Sequence, residues 1–338
     1  MKIKCIIAIA AIAAAITVAC TKAPETTQQS AAPEKIVQLD REALVTLMKN
    51  YLDALVKHDP KAVPFAEKVK FVESTAEIPV GEGLWITATG GPSEFQIYAA
   101  DPVSQQTACL VMMKETNKDI FLGARLKLEN GKVTEAEHLV IRDSLKGGLP
   151  NLQKPRPALL EDLAPEDRTP REEMLKAGAA YYDALTGEDG KLAPFADDCE
   201  RRENGMTTAG TREKLAALPI ENPDPELKKM METMSKFPRT CEGQISTGSF
   251  AYITDIKNRR VLIADEQKGL VVGFSMFYHR SDLKTTQVKG VPGITEMPSF
   301  QGTFNLPAMH IYKVKKGKIY EIEAIGFTLP YGTRSGWE

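Results

Sequence analysis

The sequence predicts an α+β protein built from two copies of one domain, and three observations carry this prediction. A segment beginning at Tyr51 recurs at Tyr181, with nine identical residues in sixteen at a fixed offset of 130. Each copy opens with an amphipathic helix. Each helix is followed by short strand-like runs separated by turn residues. Helices followed by antiparallel strands are typical of domains in which a curved sheet wraps the helices and leaves a concave cavity.

The repeat extends beyond its best-matched sixteen residues. Its register places Glu73 over Glu203, while the later turn at Asn130-Gly131 matches Lys316-Gly317 at an offset of 186. The second copy has therefore gained 186 − 130 = 56 residues in between. We expect part of this gain in residues 211–236 and another part in residues 280–300. Self-similarity at a fixed offset is the signature of a duplicated unit.

The elements of each copy follow from the spacing of apolar residues. Leu44, Met48, Tyr51 and Leu55 recur at three- and four-residue spacing, which predicts the opening helix. A short second helix is expected around residues 62–66 and again around 192–196. The strands predicted for the first copy are residues 84–89, 94–99, 107–114, 120–128 and 133–141. The clearest hairpin of the second copy joins residues 259–265 to 270–279.

The N-terminal segment resembles a bacterial lipoprotein signal. A positively charged start precedes an uncharged apolar run that is too short to span a bilayer. The run ends at Cys20, which the resemblance implies is lipidated and becomes the mature N-terminus. Thr17 stands where such signals usually have leucine, so simple cleavage near Ala19 is the alternative. Thr21 after the cysteine favours the outer membrane, facing the periplasm.

These observations divide the chain into five segments. The segment after the lipidation site is rich in Thr, Gln, Ala, Pro and Ser and cannot bury a core. The segment between the copies is rich in proline, lysine and acidic residues, as linkers are. The predicted segments are a signal peptide (1–19), a flexible tether (20–38), the first domain (39–142), a linker (143–170) and the second domain with its insertions (171–338).

Export places the remaining cysteines in an oxidising compartment. Cys199 and Cys241 lie in the same copy, and we predict a disulfide between them. The alternative is that both are buried thiols. Cys109 lies within an apolar run and is interpreted as a core residue.

Composition and motifs exclude several classes of function. Lys plus Arg number 43 against 45 for Asp plus Glu, so no single-sign field indicates a nucleic-acid partner. The four histidines are scattered, and no pair has metal-ligand spacing. No nucleophile elbow, phosphate-binding loop or dinucleotide fingerprint is present. The sequence therefore predicts neither a metal nor a cofactor, and it does not indicate an oligomeric state.

Three motifs resemble the NTF2-like superfamily, which includes ketosteroid isomerase, scytalone dehydratase and the SnoaL-like polyketide cyclases. They are Tyr181-Tyr-Asp-Ala-Leu185, Pro194-Phe-Ala-Asp-Asp198 and the strand Lys318-Ile-Tyr-Glu-Ile-Glu323. The first copy has weaker versions of the same motifs. The resemblance implies two cone-shaped domains, each with helices packed in a curved antiparallel sheet. It does not imply one activity, because this fold hosts enzymes and binding modules alike.

The resemblance implies candidate catalytic residues in the second copy. Glu203 falls where ketosteroid isomerases carry a carboxylate base, and Tyr181 falls where they carry a phenol that donates to the substrate oxygen. A carboxylate in an apolar cavity has a raised pKa and can transfer protons near neutrality. Arg201 departs from the family, because an ion pair with it would lower the pKa of Glu203. The structural alternatives are a core tyrosine and a surface ion pair.

Further residues are candidates for the ligand-binding wall. His279 ends an apolar strand and His310 opens another, so both are expected near the cavity, with buried structural histidines as the alternative. The remaining candidates are Tyr182, Arg202, Asn204 and Tyr278. The C-terminal tail with Trp337 is expected either to close over a pocket or to pack between the copies.

Three functions remain open on this reading. The second copy binds a hydrophobic small molecule, with cofactor-free isomerase, dehydratase or lyase chemistry. Alternatively, it holds such a molecule without chemistry. The third option is a structural role at the envelope. If the Glu203 carboxylate faces solvent or is held by an arginine, binding without chemistry is favoured over catalysis.

Overall fold

The computed structural model describes residues 37–142, 148–210, 232–233, 235–299 and 302–338. They form two seven-stranded sheets and a separate two-stranded hairpin. Each large sheet curves around one long α-helix. The predicted α+β class is confirmed, with helices packed in a curved sheet in each half, which is called a cone below. None of the described helices combines the length and the apolar composition needed to cross a membrane. Cys20 and the predicted signal lie outside the described residues.

The first half consists of helix α1 and the sheet that covers it. Helix α1 (Arg41–Val56) begins where the Asp40 carboxylate accepts the Ala43 N–H at 2.8 Å. A one-turn helix, α2, covers Leu84–Thr87. The sheet has the order β2-β1-β7-β6-β5, with β3 and β4 both paired to β5. Its strands are β1 (Phe65–Glu73), β2 (Ala76–Glu77), β3 (Ala88–Gly90), β4 (Gln96–Asp101), β5 (Gln106–Glu115), β6 (Lys118–Glu129) and β7 (Lys132–Ile141).

The second half repeats this plan around helix α3 (Arg171–Gly187). Its sheet has the order β10-β11-β14-β15-β8-β9, with β16 paired to β14. Helix α4 (Cys241–Ser246) precedes the longest hairpin, and β12 and β13 form the separate hairpin. The strands are β8 (Phe195–Glu203), β9 (Met206–Ala209), β10 (Ile253–Asp265), β11 (Leu270–Ser281), β12 (Thr285–Val291), β13 (Ile294–Pro298), β14 (Gly302–Lys315), β15 (Lys318–Gly326) and β16 (Leu329–Pro330).

The strand register shows that the two halves are equivalent residue by residue. In the first half the parallel pair β1 and β7 sets Glu73 opposite His138. In the second half the parallel pair β8 and β15 sets Glu203 opposite Ala324. The offset of 130 relates Glu73 to Glu203, and the offset of 186 relates His138 to Ala324, so both offsets apply to the same pair of strands. Position 138 is therefore equivalent to position 324.

Two local predictions were wrong. The expected second helix of each half is a single 3-10 turn, Pro60–Ala62 or Gly190–Leu192, and a strand starts soon after it. The expected strand at residues 84–89 begins instead as helix α2. The Leu84 N–H donates to the Glu73 carboxylate at 3.0 Å, and this tertiary bond holds a helical turn where the side chains favour a strand.

The backs of the two large sheets pack against each other. One continuous apolar cluster takes buried residues from both halves, and it includes Phe95, Leu110 and Phe121 on one side and Val272 and Met309 on the other. The described residues thus form three large layers of core, apart from a small apolar cluster around Phe237, Val288 and Val291. One lies inside each cone, and the third lies between them.

Ion pairs across the junction of the halves are reciprocal. Arg41, at the start of α1, reaches Asp265 of the second half at 2.9 Å. Arg171, at the start of α3, reaches Asp101 of the first half at 2.9 Å. The two arginines are equivalent at the offset of 130. The two aspartates also have matching positions, since Asp101 ends β4, which pairs with β5, and Asp265 ends β10, which pairs with β11. Such reciprocity is the property of a two-fold symmetric interface.

The C-terminal tail packs between the halves. The Trp337 ring lies 4.7 Å from Lys70 Nζ and 4.8 Å from the guanidinium carbons of both Arg125 and Arg260. The first two residues belong to the first half and Arg260 to the second. Of the two positions expected for this tail, the structure therefore shows the one between the copies.

A second charged cluster lies against strand β15 of the second half. Arg156, from the segment between the halves, donates to Glu321 and, at 3.0 Å, to Glu323. Its guanidinium also lies 3.4 Å from Glu200. Burial raises the pKa of Glu323, and the Arg156 guanidinium opposes that rise. Arg156 thus provides positive charge to three buried carboxylates.

The predicted disulfide is confirmed. Cys199 on β8 is bonded to Cys241 at the start of α4, with their Cα atoms 5.9 Å apart. The bond closes a chain segment of 42 residues, for which the chain-entropy treatment gives a stabilisation of about 4 kcal/mol. Cys109 is buried in the core of the first half and is not disulfide-bonded.

Candidate functional site

A cavity of about 160 Å³ lies inside the cone of the second half. Its wall is formed by α3, by β8 and by the facing strands β11, β14 and β15. Apolar and aromatic side chains make up most of this wall, with a few polar groups among them. The lining residues are Tyr181, Leu185, Glu203, Asn204, Phe250, Tyr252, Ile253, Phe277, His279, Leu306, Ala308, His310, Ala324, Ile325 and Gly326.

Both candidate catalytic residues line this cavity. Tyr181 projects from α3 and is 2% exposed. Its ring centroid lies 5.3 Å from that of His310. Burial raises the pKa of the Tyr181 hydroxyl, and the positive charge of Arg201 opposes the rise. Tyr181 is therefore a neutral phenol at physiological pH and can donate a hydrogen bond into the cavity.

Glu203 lies at the mouth of the cavity and is paired with an arginine. Its Oε1 atom is 2.9 Å from Nε of Arg201, and its side chain is 47% exposed. The apolar surroundings that make a carboxylate an effective proton acceptor are absent here. Glu203 is thus both exposed to solvent and held by an arginine, and either property favours binding without chemistry over catalysis.

Two neutral histidines form part of the opposite wall. Burial lowers the pKa of His279 to about 4. Burial, together with the nearby charge of Arg201, lowers the pKa of His310 to about 3. The His279 ring stacks on Phe304 at 4.0 Å, and its Nδ1 atom has no hydrogen-bond partner within the described part of the chain. Each imidazole is uncharged near neutrality, so it offers a hydrogen bond but no positive charge.

The other predicted wall residues are divided between the cavity and its surroundings. Asn204 lines the cavity, but its side-chain amide is bonded to both backbone groups of Gly326, at 2.8 and 3.1 Å. Tyr182 lies behind His310, with its hydroxyl 3.4 Å from Nδ1 of that histidine. Arg202 is paired with Glu200 at 2.7 Å. Neither Tyr182 nor Arg202 lines the cavity.

Tyr278 lies outside the cavity because of strand alternation. Its neighbours Phe277 and His279 both line the cavity, and side chains on a strand point alternately to the two faces of a sheet. The Tyr278 ring packs instead against Tyr331, with centroids 5.9 Å apart.

Sequence reasoning missed several wall residues. Phe250 and Tyr252 lie between α4 and β10, between the two expected insertions, where neither sequence offset aligns the copies. Ala324 had a usable signal, since the offset of 186 places it over His138. A small residue over a large one at an interior position indicates added space.

The equivalent residues of the first half form a closed hydrogen-bonded chain. The Tyr51 hydroxyl lies 2.8 Å from Nε2 of His138, and Nδ1 of His138 lies 3.2 Å from Glu73. Trp85 of α2 packs edge-on against Tyr51 at 5.3 Å and is 1% exposed. Side chains thus fill the space in the first half that the second half leaves open.

Each half has a histidine in its interior, but the two histidines lie on strands that are not equivalent. His138 on β7 is paired with Ala124 on β6, whereas Ala324 on β15 is paired with His310 on β14. Histidine and alanine have therefore exchanged places between the halves. In the second half the alanine leaves room beside Tyr181 and Glu203, and the histidine forms the wall.

The described residues contain no group of three or more His, Cys, Asp or Glu side chains positioned to hold a metal ion. The polar side chains at the cavity are two phenols, two imidazoles, an amide and one carboxylate paired with arginine. This set favours hydrogen bonding to an organic ligand.

Comparison with known proteins found a family model that matches part of the second half, and several solved structures with low overall similarity. Residues 167–326 match the model of a domain of unknown function, DUF8021. Similar solved structures include a candidate polyketide cyclase of Silicibacter sp., with 15% identity and a TM-score of 0.26, aligned over 47% of this chain and 90% of its own. A comparison with curated proteins found no match.

Two further solved structures show the same extent of similarity. A candidate SnoaL-like polyketide cyclase of Jannaschia sp. is 11% identical, with a TM-score of 0.26, over 50% of this chain and 90% of its own. AusH of Aspergillus nidulans is 12% identical, with a TM-score of 0.24, over 50% of this chain and 90% of its own. Each match spans about half of the chain.

Proposed function

We propose that the second half binds a small, largely apolar molecule of about one ring in size and holds it without chemical conversion. The observation that carries this proposal is the cavity, whose wall is mainly aliphatic and aromatic. Its volume of about 160 Å³ is close to that of engineered apolar cavities of about 150 Å³ that bind benzene. A ring that enters exchanges water contact for contact with this wall, which favours binding by the hydrophobic effect.

The polar groups of the wall would orient a bound ligand. Tyr181 supplies a phenolic donor at one side, and the uncharged His279 offers a ring nitrogen with no partner among the described residues. A few placed polar groups in an apolar pocket are typical of small-molecule sites. The ligand is therefore expected to carry a hydrogen-bonding substituent on an apolar ring.

Acid–base catalysis is the second candidate, and one observation favours it. Tyr181 and Glu203 line the same cavity, as a proton donor and a proton acceptor would. Catalysis would require Glu203 to leave Arg201 before it could take a proton. The ion pair therefore favours binding without chemistry over catalysis. The variant Glu203→Gln separates the two candidates. A binding module keeps its ligand in this variant, whereas an isomerase, dehydratase or lyase loses turnover.

Filling the cavity tests the binding proposal. In Ala308→Phe, an aromatic ring replaces a small side chain of the wall, so an aromatic probe such as toluene loses its space. We expect toluene to bind the unchanged protein in calorimetric or ligand-observed NMR titrations and to bind the variant at least about tenfold more weakly, a change of about 1.4 kcal/mol.

The matched control for this test is Ala76→Phe, which adds the same ring at an exposed position of β2 in the first half. This control should bind toluene as the unchanged protein does. Equal toluene binding by the Ala308→Phe variant, or no binding by the unchanged protein, would contradict the proposal.

We further propose that the chain is a lipoprotein of the cell envelope, anchored through Cys20 in the outer membrane and facing the periplasm. The signal-like N-terminus supports this, and so does the disulfide between Cys199 and Cys241, because disulfides persist in oxidising compartments. The variant Cys20→Ser should move from the membrane fraction to the soluble periplasmic fraction and lose incorporation of labelled fatty acid. Membrane retention of this variant would argue against lipid anchoring.

A further inference from the structure

Arg201 is a buried cation next to the proposed ligand cavity. It is 1% exposed and lies on β8, two residues before Glu203. Its Nε atom donates to Thr208 at 2.9 Å, and its Nη2 atom donates to Gln244 at 2.8 Å. The Phe250 ring covers the guanidinium at 5.1 Å. These neutral partners hold the guanidinium in place, but they do not neutralise it.

The counter-charge that the structure gives Arg201 is Glu203, and this carboxylate is easily displaced. Glu203 is 47% exposed, so it can turn into water at little cost. In addition, Nη1 of Arg201 has no hydrogen-bond partner among the residues that the structure describes, although it is buried. A fixed, buried arginine with an unused donor and a solvated counter-ion can accept another anion.

The position of Arg201 relates it directly to the cavity. An outer depression of about 500 Å³ is lined by Arg201, Thr208 and Gln244, and it shares Glu203, Phe250 and Tyr252 with the inner cavity. The shared residues form the boundary between the two spaces. A molecule with its ring in the inner cavity would therefore direct a short substituent toward the guanidinium.

We propose that the ligand is a carboxylate on a single ring, and that its carboxylate takes the place of Glu203 at Arg201. This inference rests on the proposed binding function and specifies the ligand class. A guanidinium forms charge-assisted hydrogen bonds to a carboxylate, and burial strengthens them. The Tyr181 hydroxyl, which belongs to the cavity wall and interacts with Arg201, adds a donor. Glu203 acts as the occupant of the anion position when no ligand is present.

Benzoate and benzamide test this proposal, because they share a shape and differ in charge. Binding of both probes to the purified full chain is measured by calorimetry at neutral pH, with toluene as a probe of the cavity alone. We expect benzoate to bind about tenfold more tightly than benzamide. In Glu203→Gln, which removes the competing carboxylate, benzoate affinity should rise by about a further tenfold while benzamide affinity stays the same.

The control Glu172→Gln removes the same charge from a side chain that is 76% exposed on α3. It should leave both affinities unchanged, which excludes a general effect of net charge. Equal binding of benzoate and benzamide in the unchanged protein and in Glu203→Gln would overturn the carboxylate proposal, and toluene binding would show that the cavity proposal still holds. If toluene also fails to bind, both proposals are overturned.

Discussion

The variant Ala324→His is expected to abolish binding of an aromatic probe while leaving the second half folded. The first half carries histidine at the equivalent position, His138, and accommodates it inside a closed cone. An imidazole at position 324 would occupy the part of the cavity beside Tyr181 and Glu203. A ring-sized ligand then has no room, and we expect no toluene binding at concentrations up to about a hundredfold above the original Kd, a loss of about 2.7 kcal/mol or more.

Ala324→Ser is the matched control for this experiment. Serine is polar but small, so it tests whether volume or polarity at position 324 decides binding. It should retain toluene binding within about threefold, which is about 0.7 kcal/mol. Thermal unfolding and circular dichroism should show that both variants fold. Binding by Ala324→His at the original affinity would mean that the ligand does not use the space beside Tyr181.

The variant Arg156→Met is expected to lose about 3–5 kcal/mol of folding stability, because it removes a buried cation that is hydrogen-bonded to two buried carboxylates. Glu321 and Glu323 both accept hydrogen bonds from Arg156, and Glu323 is 0% exposed. Burial already raises the pKa of Glu323, and loss of the guanidinium removes the effect that opposes the rise. Urea unfolding followed by circular dichroism measures the change.

The pH dependence of the Arg156→Met variant gives a second readout. A carboxyl group whose pKa is higher in the folded than in the unfolded state stabilises the fold below the unfolded pKa, and this stabilisation is lost as pH rises through the folded pKa. The deficit of the variant should therefore be smaller near pH 5 than near pH 8. Adding Glu323→Gln should restore part of the stability at pH 8. The control Arg334→Met, at a side chain that is 79% exposed, should change stability by less than about 1 kcal/mol.

The fold could be predicted from the sequence because its signals are local and repeated. These signals depend on residues close together in the chain. They are the apolar residues at three- and four-residue spacing in α1 and α3, the hairpin turn at Asn130-Gly131 and the alternating pattern of the strands. The disulfide could be predicted because Cys199 and Cys241 were the two cysteines remaining in one copy. Errors occurred where distant contacts decide the conformation, as at Leu84, whose N–H is bonded by Glu73.

The candidate site was predicted only in part, for a related reason. The repeat placed Tyr181 and Glu203, and strand patterns placed His279 and His310, all of which line the cavity. The direction of a side chain on a strand or helix depends on which face meets the core. This is why Tyr182 and Tyr278 lie elsewhere. The role of Arg201 depends on its contacts with Phe250 and Gln244, which lie between the two expected insertions, where neither sequence offset aligns the copies.

The reciprocal pairs Arg41–Asp265 and Arg171–Asp101 have a consequence for how the protein can change over time. In a dimer of identical chains, every substitution occurs at two places at once, so a change that hollows out one interior weakens both. Joining the two units in one chain removes that coupling. One unit can keep a densely filled interior that supports the shared interface, while its partner gives up packing to create an opening. The exchange of histidine and alanine at positions 138 and 324, and at positions 124 and 310, is an example of such independent change, in two halves whose interface has stayed symmetric.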